Sequence, residues 1–117
     1  MRDHTKLRAF ELADQLALAV YEATRGFPKE EQFGLTSQMR RAVVSCASNI
    51  VEGCARNSES DYLRFLDMAY GSVREVEYQA SLAYRLNYLA AEAYDSLRER
   101  CVETSKVLGA LIRSLRS

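Results

Sequence analysis

Apolar positions recur along this chain at steps of three and four residues, the period of an amphipathic helix. From about Thr5 to Arg25, the residues Leu7, Phe10, Ala13, Leu16 (with Ala17), Val20 and Thr24 fall on one face. Gly26 and Pro28 supply the stop. The connection from Gly26 to Gly34 carries Phe27 and Phe33. Two aromatics in one loop predict a plug for the end of a bundle. Thr36 is the expected N-cap of a second helix running to about Ala55. Ser58, with Asp61 as its capping-box partner, opens a third. There Tyr62, Leu66, Ala69, Val73, Val76, Ala80 and Ala83 alternate four and three apart, a heptad seam of about three repeats. A more mixed stripe runs beside it through Phe65, Met68, Ser72, Gln79, Leu82, Leu86 and Leu89. This helix should span about 30 residues, roughly 45 Å. Gly71 in its middle costs about 1 kcal/mol against alanine, and close approach of a neighbouring helix would compensate. After a turn at Asn87-Tyr88-Leu89, a fourth helix from about Ala91 to Leu115 repeats the alternation through Leu97, Cys101, Thr104, Leu108, Leu111 and Leu115. Short connections make successive helices antiparallel. The expectation is an all-α, up-down-up-down four-helix bundle forming one domain over 1–117.

The second helix departs from the simple pattern. Met39, Ala42, Val43, Cys46, Ile50 and Cys54 make one apolar stripe, and Val44, Ala47, Val51 and Ala55 make another beside it. A bundle interior absorbs one stripe per helix, so the surplus predicts a second contact surface. The simplest occupant is another copy of the chain, giving a homo-oligomer with Val44, Ala47, Val51 and Ala55 at the interface.

Composition narrows the function. Sixteen basic residues balance sixteen acidic ones, and the split is even between the halves. No strong field steers the chain toward nucleic acid or a membrane, which leaves room only for a local basic patch. No apolar run approaches the ~20 residues that span a bilayer. Met1-Arg2-Asp3-His4 lacks the apolar core of a signal peptide, so a cytoplasmic protein is expected. Cys46, Cys54 and Cys101 show no CxxC or CxxH spacing and read as free, buried thiols.

His4 is the single histidine. A di-iron bundle needs Glu-x-x-His on two helices, and a helical histidine nuclease or a Cys–His or Ser–His pair fails equally. Glycines do not cluster into a phosphate loop. No cofactor and no metal are expected. Glu52 and Glu75 lie among apolar neighbours; as a carboxylate pair they would suit acid–base work. The structural alternative weighs more: a polar network of Arg41, Asn49, Glu52, Ser72 and Glu75 fixing helix register, with Arg41 and Arg74 as ionic partners. Arg40, Arg41 and Arg56 on the second helix are the candidate phosphate contacts, against ordinary solvation and intrahelical pairing. Tyrosines 62, 70, 78, 84, 88 and 94 crowd the second half, and packing accounts for them better than base stacking.

The segment Phe27-Pro28-Lys29-Glu30-Glu31-Gln32-Phe33-Gly34-Leu35-Thr36-Ser37-Gln38-Met39-Arg40-Arg41-Ala42, followed by Ser45 and then Ser48-Asn49-Ile50-Val51-Glu52-Gly53, carries a family resemblance. It resembles the four-helix proteins encoded in intervening sequences of bacterial 23S ribosomal RNA genes, the S23-like family, whose relatives include the accessory variability protein of diversity-generating retroelements. The family pattern reads FP-x-x-E, GLT-x-Q-x-RRA and S-x-x-SNIAEG. Phe65-Leu66, Ala69, Gly71-Ser72 and Glu75 match its third-helix pattern, and Leu7, Phe10 and Ala13 align with its first helix. Phe10 stands where the family has tryptophan, Ala47 where it often has proline, and Val51 where it has alanine. These are packing changes. The family is also often more basic than this chain.

The resemblance implies a homopentamer, a ring of five bundles around a channel, with no known enzymatic activity. In the retroelement relatives the ring works with a reverse transcriptase and RNA. The functional expectation is a non-enzymatic oligomeric scaffold, with RNA or a nucleic-acid enzyme as the prospective partner. The alternative is direct RNA binding through Arg40, Arg41 and Arg56.

Overall fold

The computed structural model describes residues 1–116. Among them are four long helices, α1 (Arg8–Thr24), α2 (Leu35–Cys54), α3 (Glu59–Arg85) and α4 (Ala91–Arg116), and two short 3-10 turns at His4–Lys6 and Lys29–Glu31. α1 packs on α2 and α4, and α3 packs on both of those. The core lies between all four. Leu16, Val20, Met39, Val43, Ile50, Leu66, Val73, Val76 and Leu108 are fully buried there, and they are the residues that the three- and four-residue spacing selects. The chain start docks on the far end of α2, where Arg2 N–H donates to the Cys54 carbonyl at 2.7 Å. Across the α3–α4 pair, Arg116 near the end of α4 forks onto Asp67 in α3.

The helix ends show why the elements stop where they do. Asp3 caps the first 3-10 turn, its carboxylate accepting from Thr5 N–H at 3.0 Å, and extended Leu7 separates that turn from α1. Ser58 accepts from Asp61 N–H at 3.1 Å, as the capping pattern predicts. α3 closes with Asn87 in the left-handed region at φ 65°. Tyr88 N–H then reaches the Ala83 carbonyl at 2.8 Å, and Asn87 N–H reaches Tyr84 at 3.0 Å. That pair of bonds is a Schellman motif.

Two expectations for the α1–α2 connection need correction. Thr36 does not cap α2. The cap position is Gly34, and the Glu31 carboxylate supplies the missing acceptor, taking Leu35 N–H at 2.9 Å. The 3-10 turn folds Glu31 back over the helix start. A Cβ at position 34 would stand 2.5 Å from Glu31 Oε1, so glycine leaves the space that the cap occupies. The second correction concerns the plug. Phe27 is buried, its ring 5.4 Å from Tyr88, but Phe33 is 90% exposed. One aromatic fills the end of the core; the other stands in solvent.

Glu31 also accepts from the Tyr88 hydroxyl at 2.8 Å, tying the α2 start to the α3–α4 turn. Its two hydrogen bonds, the Leu35 amide first, hold its carboxyl below the usual carboxylate range. The Glu31 bond raises the Tyr88 hydroxyl. A lowered carboxyl contributes stability above its unfolded pKa and loses it as pH falls through the folded value. The raised tyrosine contributes below its ordinary value and loses that at high pH. Wild type is therefore expected to melt above Glu31→Gln at neutral pH, with the gap narrowing in acid. Melting curves across pH read this directly, and a gap that stays constant rules out the ionised cap.

The mid-helix glycine is a third correction. A Cβ at Gly71 would meet nothing within 4 Å. Among the described residues no neighbouring helix approaches it. Close approach is found at Gly53 instead, where a Cβ would come within 3.0 Å of Phe65 Cβ.

Candidate interaction surface

The second stripe of α2 lies outside the buried core, with Ala47 packed against its edge. Val44 is 43% exposed, Ala55 is exposed, and Ala47 and Val51 are half-buried. The stripe does not end at the helix. Phe33, one residue before the cap, lines the same open groove as Val44 and Tyr21 of α1, with the polar side chains of Thr36, Ser37, Arg40 and Arg41 between them. The groove holds about 620 Å³. Leu18, one turn before Tyr21, is 69% exposed. The sequence pattern found the α2 half of this surface and missed Leu18, Tyr21 and Phe33. One signal was available: Leu18 sits among Asp14, Gln15 and Glu22, on the polar side of α1.

The three candidate arginines have different surroundings. Arg40 is held: its Nε donates to Thr24 Oγ1 at 2.8 Å and Nη2 to the Tyr21 carbonyl at 3.3 Å. Its guanidinium lies 4.6 Å from the Tyr21 ring centre, an arrangement in which arginine covers an aromatic face. Arg56 pairs with Glu52 at 3.4 Å and lies over the Phe65 ring. Arg41 is exposed and has no ionic or hydrogen-bond partner among the described residues. Arg40 lies in the second turn of α2, whereas Arg56, expected on the same helix, stands two residues past its end at Cys54, which is itself fourteen residues, roughly 21 Å, further along the axis. Within one protomer they do not form a patch.

The polar network centres on Ser45. Asn49 donates to the Ser45 carbonyl at 2.8 Å and to its hydroxyl at 3.0 Å. Ser72 of α3 reaches the same hydroxyl at 3.1 Å. Arg41 and Glu75 line the adjoining α2–α3 groove. The expected ionic partners differ, however. Glu52 pairs with Arg56, Glu75 accepts from Gln79 at 3.3 Å, and Arg74 approaches Glu77 at 3.9 Å. Each pairing is between residues three or four apart in the chain, which are nearer than residues across the groove.

The remaining reactive groups are quiet. Burial pushes the Cys46 and Cys101 thiols up to about 12, so neither supplies a thiolate near neutrality. Cys54 is raised by burial too. Burial likewise pushes Tyr62 up to about 12. His4 packs edge-on against Phe10, ring centres 4.7 Å apart. Tyr84 and Tyr94 stack at 4.7 Å. Among the described residues no group of three His, Cys, Asp or Glu side chains is placed to share a metal ion. No helix there is long and apolar enough to cross a membrane.

The sequence profile of the 23S rRNA-intervening sequence protein family matches residues 5–110. The chain belongs to this family. Among solved structures, it is similar to a protein of unknown function from the S23 ribosomal protein family of Bacteroides thetaiotaomicron VPI-5482. That match has a TM-score of 0.82 at 24% identity and covers 90% of this chain and 95% of the other. At that identity the likeness speaks for the fold alone. No curated protein matches the chain. The matched span of this 23S rRNA-intervening sequence protein includes both walls of the α1–α2 groove, the Ser45 network and all three arginines.

Proposed function

We propose that this family member is a non-enzymatic scaffold that works as a ring-like homo-oligomer, with five copies as the favoured number, in the cytoplasm. The observation that carries the reading is the set of exposed apolar side chains Leu18, Tyr21, Phe33 and Val44, with Ala47, Val51 and Ala55 further along the same stripe. A solvated phenylalanine beside a half-solvated valine stripe is costly for a chain that stays alone. The helices are taken as antiparallel, up-down-up-down. The Arg2–Cys54 contact at one end of α1–α2 and the Arg40–Thr24 contact near the other support that order.

A second surface favours a ring over a two-fold dimer. Met68, Tyr78 and Leu86 of the α3 region are 40%, 60% and 45% exposed. Head-to-tail rings need two different complementary patches, whereas a two-fold dimer needs one. Gly71 lies between Met68 and Tyr78 with open space above it, which suits the close approach of a neighbouring copy's helix. Gly71→Ala is therefore expected to stabilise the protomer by about 0.5–1 kcal/mol while weakening assembly. Denaturant midpoints below the assembly concentration and native mass above it separate the two effects. A gain in both would remove Gly71 from the interface.

The direct test of the scaffold reading is solution mass by light scattering at tens of micromolar. The expected mass is five times 13.3 kDa. A single-chain mass overturns the proposal.

A further inference from the structure

The cleft between α3 and α4 takes no part in the surfaces described so far. It holds about 520 Å³ and is lined by Tyr70, Arg74 and Glu77 of α3 and by Ser105, Lys106 and Arg113 of α4. Three cations face one carboxylate, on a chain whose charges otherwise balance. Lys106 and Arg113 have no ionic partner among the described residues, and Arg74 meets Glu77 only at 3.9 Å. Lys106 and Arg113 are two helical turns apart, so α4 presents both on one side.

Two buried atoms in this cleft lack a hydrogen bond. Ser105 is 8% exposed, and its hydroxyl has no hydrogen bond; Glu77 Oε1 is buried with none either. Buried polar groups are nearly always satisfied; the Ser105 hydroxyl has no hydrogen-bond partner, and Glu77 Oε1 has only the loose approach of Arg74 Nε at 3.9 Å. The cleft is also shaped at Gly109. A Cβ there would stand 3.3 Å from Arg113 Nη1 and 3.5 Å from Tyr70 Cε2. Glycine lets the guanidinium lie low over α4, beside the tyrosine ring.

We propose that the α3–α4 cleft binds a phosphate ester. Its oxyanion sits among Lys106, Arg113 and Arg74 and accepts the Ser105 hydroxyl, and a hydroxyl of the organic part donates to Glu77 Oε1. An oxyanion relieves the crowding of cations and satisfies the serine. Glu77 explains why the ligand is an ester and not bare phosphate: its Oε1 accepts an O–H that only the organic part supplies. The volume falls within the ~300–1,000 Å³ range of small-ligand sites. The ester could be a free sugar phosphate or part of an RNA backbone, and the test separates these.

Calorimetric titration of the full chain with ribose 5-phosphate, inorganic phosphate, ribose and a short single-stranded oligoribonucleotide tests the site. Ribose 5-phosphate is expected to bind at millimolar concentration or below, several-fold tighter than inorganic phosphate, with no binding of ribose. Lys106→Gln with Arg113→Gln should weaken it at least about tenfold. Ser105→Ala should weaken it a few-fold; Glu77→Gln should tighten both inorganic phosphate and the ester, and Glu77→Ala, which removes the acceptor, should erase the preference for the ester. Helicity and native mass serve as fold controls for each variant. If the oligoribonucleotide displaces ribose 5-phosphate and loses affinity in the same double variant, the ester is the RNA backbone. Without such displacement the site belongs to the free sugar phosphate. Absence of saturable binding by both phosphate esters, or binding unchanged in the double variant, overturns the proposal.

Discussion

Val44→Glu combined with Val51→Glu is expected to reduce the proposed ring to single chains of 13.3 kDa. Both positions lie on the outward stripe of α2, with Val44 43% exposed and Val51 half-buried. Neither belongs to the fully buried core, so the protomer should keep its helicity. At an interface the same changes act several times over. Each removes an apolar side chain worth about 1.5–3 kcal/mol when buried. Each also places a carboxylate where it must be desolvated without a partner, a further cost of several kcal/mol. Every subunit junction of a closed ring would carry both charges. Light scattering reads the mass, and circular dichroism confirms the fold. Val43→Glu is the contrasting control: Val43 is fully buried, so that change should unfold the protomer outright. If the outward double variant keeps the parental oligomeric mass, the α1–α2 surface is not the contact.

How much of this was legible in advance follows from what periodicity encodes. It reports which side of a helix is apolar, so the core residues of all four helices and the outward stripe of α2 could be read from spacing. It carries no information on which side chain crosses a turn. The Glu31 cap depends on the 3-10 turn at Lys29–Glu31 bending back over Leu35, and Thr36 is the better cap by residue type alone. Phe33 was misplaced for a related reason. An aromatic in a loop signals burial only when the loop's direction is known, and this one turns its side chain toward the α1–α2 groove. The ionic pairs failed differently. Glu52 and Arg41 were matched across a helix face, but Arg56 stands one turn from Glu52 and takes it. The α3–α4 cleft left no mark in the pattern. Lys106 and Arg113 read as ordinary surface charges until the Ser105 hydroxyl and Glu77 Oε1 are seen buried without a hydrogen bond between the helices.

Gly53→Val is expected to cost the protomer about 3 kcal/mol or more, at the upper end of what overpacking produces. Gly53 is buried near the end of α2, where α3 crosses closely. A Cβ there would meet Phe65 Cβ at 3.0 Å, Tyr62 Cδ1 at 3.2 Å and the Tyr62 carbonyl at 3.4 Å. Two of these contacts involve atoms at or next to the α3 backbone, which cannot swing aside as a long side chain can. The helices must separate or Tyr62 must move. Tyr62 is almost wholly buried and carries the Arg2 guanidinium 3.9 Å above its ring. Its movement would loosen the Arg2–Cys54 contact that holds the chain start. Opposing this is the gain in helix propensity on leaving glycine, under about 1 kcal/mol, so the net sign is fixed by the clash. Gly53→Ala should fall between, because it lacks the branched methyls. Denaturant midpoints of the three proteins are expected to rank wild type above alanine above valine. The spacing of α2 and α3 would then be set by that one missing side chain. A valine variant as stable as wild type would mean that the two helices can part there at no cost.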